Sequence, residues 1–456
     1  MRALVVAYAF PPTGGAGVGR PLKLVKYLGL HGVTPSVLTA ANPSVPVRDE
    51  SLVAEIPFGT EIVRARTFEP AYGVKQAQWQ SASSEGGAQA PASLKKRALR
   101  WAVNVGRHAM VPDAQILWQP AAQVALAGRL LRGVDDVIII SAPPFSQFLL
   151  APLARLRPGV GVVLDYRDEW STVREVYEMK ATLPARAGAF LEKRLLRSAH
   201  MVTTATAAFR DNLLGRFPFL APETVVAIPN GYDPADFPQS LPGPPADAEN
   251  LTITYAGTLF RLTSARGLIG GLRRLHAAEP ALARRLRVRF LGRIVETELD
   301  AFEGTEGLGI ERVGYVPHEE VVRALVASHI ALCILDDAPF VERIYPAKIF
   351  ELMHLADKLG LQTLTLASPG VLADLVTTHR IGALVRPRDE EGIAAFLAER
   401  LRAFVAGVTP ARPQPIDVGR FDRRALAGEF ARVLETARER ARSRKGLRPS
   451  RGPSPM

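Results

Sequence analysis

Two doubly wound α/β domains in tandem are what this chain predicts, on three observations. Short apolar runs rich in Val, Ile and Leu alternate with helix-like segments from end to end. Strands that are apolar without a break belong to parallel sheets covered on both faces. The alternation is interrupted once, at PNGYDPADFPQSLPGPPADAEN (229–250), where Pro, Gly, Asp and Asn crowd together. Finally, 456 residues exceed what one core accommodates, and two domains of roughly 200 residues are the natural division.

The strands expected in the first half are RALVVAYA (2–9), PSVLTA (35–40), DVIIIS (136–141), GVVLDY (161–166), MVTTA (201–205) and TVVAIP (224–229). Helices such as PLKLVKYLGLHG, AAQVALAGRLLRG and ARAGAFLEKRLLRSA lie between them. In the second half the strands are LTITYAG (251–257), RVRFLG (287–292), IALCIL (330–335), TLTLAS (363–368) and GALVRP (382–387). Domains are expected over 1–235 and 236–415, followed by a helix over 416–437 and a basic, disordered tail over 438–456. Residues 65–92 show little periodicity and read as a loop. No repeat of solenoid period is present.

At 47% hydrophobic and 22% charged residues the chain can fill two cores. Its single cysteine, Cys333 in HIALCILDD, excludes an intrachain disulfide and reads as a small buried hydrophobe. ALVVAYAF is too short for a signal peptide, and no run of 18 apolar residues is free of charge, so a cytoplasmic protein is expected. The net charge of +12 is uneven: RERARSRKGLRPSR (438–451) holds six Arg and one Lys against one Glu, a net of +6. A second basic stretch, SLKKRALRWAVNVGRHAM (93–110), sets Lys95, Lys96, Arg97, Arg100 and Arg107 around Trp101. That composition suits an anionic membrane surface, with a peripheral position at the inner face, or a solvated helix face. Nucleic acid is not expected as a partner, since no binding motif accompanies the charge.

FPPTGGAGVGRPLK (10–23) follows the first strand and leads into a helix, with four glycines in six residues. A Walker A loop would need Lys and Ser or Thr where Arg20 and Pro21 stand. A dinucleotide fingerprint would need its third glycine one place after Gly19. What remains is the shared physics: backbone amides closing on an anion at a helix start, or a tight turn needing positive φ. Ligands of open α/β sheets bind outside the carboxyl ends of the strands, so this loop is expected to face a cleft between the domains.

In ERIYPAKIFELM (342–353), Pro346 marks a helix start and places Lys348 in the first turn beside free amides. Glu351 follows on the same face. A cation and amides for phosphate, with a carboxylate for vicinal hydroxyls, suit a nucleoside diphosphate; an exposed ion pair three residues apart is the alternative.

Together these stretches resemble the retaining GT-B glycosyltransferases of the family 4 type, which build bacterial polysaccharides and glycolipids. The resemblance runs in order through YAFPPTGGAGVGRPLKLVKYLGLHGVTPSVLT, PDAQILWQPAA, SAPPFSQFLLA, LDYRDEW, IPNGYDPADF, YAGTL, VGYVPHEEVVRALVASHIAL and YPAKIFELM. It implies a sugar moved from a UDP- or GDP-linked donor to a glycan, lipid-linked or small-molecule acceptor, with retention and no metal or other cofactor. Gly14 and Gly15 would approach the donor diphosphate, and Gly257 and Thr258 would open the first loop of the second domain. Arg266, with Arg261 nearby, would bind phosphate. Tyr315 and Val316 would flank the base. Lys348, with Pro346 and Ala347 at its helix start, would face phosphate, and Glu351 would take the ribose hydroxyls. Arg167 and Asp168 would lie on the acceptor side. The resemblance also implies that the C-terminal helix crosses back to the first domain. Gly15, Arg266 and Lys348 would then be the catalytic set, stabilising charge on the departing diphosphate.

The chain departs from that pattern at three places, one of them ELMHLADKLGLQTLTLASPG, which lacks the usual small-Gly-x-Pro-Val turn after the helix. Arg343 stands where the first of a glutamate pair is common, and Phe145 and Phe148 occupy a Pro-Pro loop that often carries histidine. Two further readings follow: a catalytically silent sugar-nucleotide-binding or docking relative, and another GT-B enzyme such as an epimerase. No Ser-His-Asp arrangement and no histidine spacing suited to zinc is present.

Overall fold

The eleven expected strands all form in the computed structural model, which describes residues 1–45, 47–70, 111–170, 183–238, 243–245 and 248–446. Residues 71–92, the basic stretch 93–110 and the chain beyond 446 lie outside the described residues. The chain divides into two units, Met1–Ile228 joined by the helix from Leu426 onward, and Pro229–Ala425.

In the first unit the strands are β1 (Arg2–Val6), β2 (Thr34–Ala40), β3 (Glu61–Ala65), β4 (Val137–Ala142), β5 (Gly161–Tyr166), β6 (Met201–Thr204) and β7 (Val225–Ala227). They form one parallel sheet in the order β3-β2-β1-β4-β5-β6-β7. Residues of β1, β4 and β5 are buried alternately towards two cores, one on each face. This burial on both faces explains why the strands read as unbroken apolar runs.

The second unit holds β8 (Leu251–Ala256), β9 (Leu286–Leu291), β10 (Ile310–Gly314), β11 (Ile330–Ile334), β12 (Gln362–Leu366) and β13 (Ala383–Val385), in the parallel order β10-β9-β8-β11-β12-β13. Both sheets therefore reverse direction beside their first strand, between β1 and β4 and between β8 and β11. Such switch points are where open α/β sheets bind ligands.

The helices that matter below are α1 (Ala16–Leu28), α2 (Gln119–Arg132), α3 (Leu183–Leu196), α4 (Ala207–Arg216), α5 (Arg266–Ala278), α6 (His318–Val326), α7 (Lys348–Leu359), α8 (Val371–Thr378), α9 (Glu390–Val405) and α10 (Arg423–Gly446). α5 closes on α9 because Gly270 and Gly271 face it; added methyls would lie within 2.3 Å of Glu390 and 2.5 Å of Ile393. α10 belongs to the first unit, where Phe430, Leu434 and Ala437 join the core beneath β1, β4 and β5. Its backbone presses on β5 so closely that a methyl on Gly161 would stand 2.8 Å from the Ala437 carbonyl carbon.

Several expectations need adjustment. β3 and β10 were not expected as strands. The second unit starts at Pro229, so PNGYDPADF opens it rather than closing the first. The last helix starts at Arg423 and continues to Gly446, which makes residues 438–446 helical where a disordered tail was expected. Residues 65–70, expected in a loop, are tied down: the Thr67 amide donates to the Asn42 side chain at 2.9 Å, and Glu69 is buried against the Tyr8 hydroxyl. Cys333 is fully buried in β11, and burial pushes its thiol up to about 11, in line with a structural role. No described helix is long and apolar enough to cross a membrane.

His354 of α7 is buried, its ring stacked on Tyr232 at 4.3 Å and tilted against Phe237 at 4.7 Å. Burial lowers its pKa, helped by Lys358 and opposed by Asp357 and Asp422. The unfolded chain therefore binds a proton that the folded chain resists. Stability from this residue is complete above an ordinary histidine pKa of about 6.5 and is lost as pH falls below it. His354→Phe is expected to flatten the loss of stability between pH 7 and 5, checked by denaturant unfolding at the two pH values.

Candidate functional site

In the second unit the carboxyl ends of β10, β9 and β8 carry one glycine each. Gly257, Gly292 and Gly314 all have positive φ, at 140°, 125° and 83°. Hydrogen bonds tie them into a ridge: the Gly257 amide donates to Leu291 at 2.8 Å, and the Gly292 amide to the Gly314 carbonyl at 2.6 Å. A methyl on Gly292 would fall 2.3 Å from the Gly257 carbonyl oxygen. The ridge thus has no side chains and offers bare backbone, with its Gly257 end beside the switch point. Thr258 follows it, and its carbonyl is fixed by the Tyr255 hydroxyl at 3.0 Å and the Thr263 hydroxyl at 2.7 Å.

Lys348 stands directly over this ridge. α7 begins at Lys348 after Pro346 and the N-cap Ala347, as the sequence predicts. The ammonium lies 3.7 Å from the centre of the Tyr255 ring, and a methyl on Gly257 would meet it at 2.6 Å. Among the described residues no carboxylate pairs with it and no acceptor takes a hydrogen bond from it. A half-buried ammonium in that state, at the positive end of a helix whose Ile349 amide donates to Pro346 at 3.0 Å, suits an anion. Glu351 follows in the same first turn, half-buried. Tyr315 and Val316 come directly after the last glycine of the ridge, Tyr315 58% exposed.

Arg266 is differently placed from Lys348. It opens α5, but its guanidinium is bound to Asp300 at 2.5 Å and lies 3.8 Å from Glu298, and it donates to the Thr297 carbonyl at 3.2 Å. The Asp300 hydrogen bond raises its pKa. Arg261 lies exposed in the short turn before α5. At the end of β11, Asp336 is paired with Arg388 at 3.3 Å, and Asp337 accepts from the Ser368 hydroxyl.

The first unit's switch point is built around a buried pair. Arg20, in the second turn of α1, meets Asp165 of β5 at 2.8 Å, both about 2% exposed or less. Asp165 also accepts from Ser141 and Thr203, each at 2.7 Å. Burial works against its charge, but Arg20 and the two hydroxyls outweigh it and hold the pKa low. The arginine at the phosphate-loop position is thus committed to the protein itself. Gly15 caps α1 with φ 95° and open space around it. Gly14 is pinned, its amide donating to the Val47 carbonyl at 3.0 Å. The Arg167 guanidinium joins two loops by donating to the carbonyls of Gly17 and Pro143. Asp168 beside it is exposed. Phe145 and Phe148 are buried; Phe145 stacks on Trp170 at 5.1 Å, and Phe148 lies 4.7 Å from Tyr166.

Sequence reasoning missed Gly292, Gly314 and the Arg20–Asp165 pair. The glycines end strand-like runs, which is a usable signal. The pair is 145 residues apart in sequence, and no spacing announces it.

Two parallel units of one strand order, with the last helix returned to the first, make an architecture that can be named. The fold is GT-B. A family model described as Glycosyl transferase 4-like domain matches residues 31–231. No curated protein matches the chain in sequence. Among solved structures, the chain is similar to the apo form of the lipopolysaccharide outer core galactosyltransferase WaaB, at TM-score 0.53 and 12% identity, covering 96% of this chain and 99% of that one. It is also similar to Anabaena HepE in complex with UDP and glucose, at 0.51 and 13%, covering 98% and 99%. A putative UDP-N-acetylglucosamine 2-epimerase from Listeria monocytogenes matches at 0.51 and 10%, covering 96% of each chain. At these identities the likeness concerns the GT-B fold.

Proposed function

We propose that the protein is a glycosyltransferase that takes a sugar from a nucleoside diphosphate sugar, with its donor site in the second unit. The observation that carries this reading is Lys348: an ammonium without an acidic partner among the described residues, at a helix start, over a floor of bare backbone. A diphosphate laid along the ridge of Gly257, Gly292 and Gly314 would receive the cation and the α7 amides together. Pro346 and Ala347 would shape that helix start, and Thr258 would border the floor. Glu351, in the same first turn, would take the ribose hydroxyls, and Tyr315 and Val316 would flank the base.

Breaking the bond between the sugar and the diphosphate places negative charge on the leaving oxygen. Preorganised donors aimed at that oxygen lower the barrier without reorganising at the moment of reaction. Lys348 fills that role. Arg266 joins it only by exchanging Asp300 and Glu298 for phosphate, with Arg261 as the neighbouring cation. Gly15 and the first amides of α1 would serve the reacting centre from the first unit. Asp168, held next to the Arg167 clamp, would meet the acceptor, a glycan or lipid-linked sugar. Retention belongs to the same proposal and follows the resemblance to family 4.

The test is incubation with UDP- and GDP-linked hexoses, water serving as a slow acceptor. The proposal expects release of one nucleoside diphosphate with the free sugar. An epimerase acting without loss of the nucleotide would instead change the sugar at constant nucleotide sugar concentration. Absence of both reactions, with tight nucleotide binding, would identify a silent binding protein and overturn the transferase reading.

A further inference from the structure

At the opposite end of the first unit's sheet lies a second cavity, of about 580 Å3. α10 runs along the amino ends of the strands: Arg442 pairs with Asp136, just before β4, at 3.1 Å, and Ala437 and Arg438 press on Gly161 at the start of β5. Where it reaches β6 and β7, the end of α3 and the loop before β7 leave a space between them. The exposed Arg197 and the half-buried Arg440 both line this space, together with Ser443 and the buried His200. Much of the remaining wall is apolar, including Leu220 and a Phe219 ring that is 39% exposed.

Neither arginine has a carboxylate partner or a hydrogen-bond acceptor among the described residues; the one contact of Arg197 is with the Phe219 ring, at 4.8 Å. The single acidic residue of the lining, Glu223, is exposed and pairs with neither. Arg197 follows the carboxyl end of α3, where a cation is favoured on its own account. Arg440 has no such reason, since it lies within α10, half-buried. Two guanidinium groups lining one space suit the oxygens of a phosphate, and the apolar part of the wall suits a hydrocarbon body.

We infer that this cavity is a second binding site, separate from the strand ends that carry Lys348, for the phosphate monoester of an apolar chain. The phosphate would lie between Arg197 and Arg440 and the chain against Phe219 and Leu220. Its source is either a dispersed amphiphile or a headgroup presented by a bilayer.

The full chain is titrated calorimetrically with dodecyl phosphate below its micelle concentration and with inorganic phosphate. It is also floated with phosphatidylcholine vesicles containing phosphatidic acid. Dodecyl phosphate is expected to bind at least tenfold more tightly than inorganic phosphate. Arg197→Ala and Arg440→Ala should each weaken it at least fivefold while leaving the melting temperature unchanged, and Lys348→Ala should leave it intact. Flotation that depends on both arginines assigns a bilayer headgroup; dodecyl phosphate binding without flotation assigns a dispersed ester. Equal binding by the arginine variants, equal affinity for inorganic phosphate, or no binding of dodecyl phosphate would overturn the inference. Loss of dodecyl phosphate binding in Lys348→Ala would do so too, by moving the ligand to the donor site.

Discussion

Lys348→Ala is expected to reduce release of nucleoside diphosphate by about 100- to 1000-fold, the range seen when one preorganised donor to a developing anion is removed. The fold should survive, because Lys348 is half-buried and, among the described residues, its ammonium packs on the Tyr255 ring without an ion pair or hydrogen bond. Lys348→Arg keeps the charge but replaces a compact ammonium by a wider planar group. The methyl position on Gly257 already lies 2.6 Å from the lysine nitrogen, which leaves little room for that exchange. The arginine variant should therefore recover only part of the rate. Initial rates at saturating donor, with circular dichroism on each variant, separate this outcome from simple misfolding.

Arg20→Met is expected to carry the largest cost in stability, roughly 3–5 kcal/mol, because it leaves the Asp165 carboxylate buried without its cation. Ser141 and Thr203 would still donate to that carboxylate, but hydroxyl dipoles do not replace a charge at 2.8 Å. Adding Asp165→Asn should return part of the loss, since the amide has no charge to strand. The effect should appear in the unfolding of the first unit, followed in denaturant as the earlier of two transitions; a change below about 1 kcal/mol would mean that the pair is a surface-like one.

Eleven strands could be read from the sequence, all those inside the sheets together with the edge strands β7 and β13. GVVLDY forms β5 over the same six residues, because both its faces are covered and its run is apolar up to Asp165, whose charge Arg20 meets. β3 and β10 escaped for the converse reason. They lie at one edge of each sheet and, unlike the apolar VVA and ALV of β7 and β13 at the other edges, they carry charged residues; EIVRA is buried fully only at Ala65, and IERVG has no fully buried residue. An edge strand half open to water has neither the unbroken run nor a clean alternation, so pairing with its neighbour decides its form. The helix end at Gly446 was illegible in a similar way. Arg-rich composition from 438 onward suggests a solvated tail, while the Gly161 notch and the Asp136–Arg442 pair that hold the helix are remote in sequence.

The candidate donor site was legible where chemistry and local helix rules coincide. Pro346 fixes the start of α7, which puts Lys348 in its first turn, and the glycine after β8 follows from the strand itself. The glycine loop of the first unit was legible only in part. Gly15 needs its positive φ, yet Gly14 is spent on Val47 and Arg20 on Asp165, and neither commitment can be seen from FPPTGGAGVGRPLK alone. Phe145 and Phe148, conspicuous where histidine was expected, turn out to be core residues that pack on Trp170 and Tyr166.

Calorimetric titration of UDP and GDP into the wild-type protein and into Lys348→Ala bears most directly on the donor site. One of the two nucleotides should bind the wild type, and the substitution should weaken it at least tenfold. Equal binding by the two proteins, or no binding by either, would contradict the placement of a diphosphate on Lys348 and the glycine ridge.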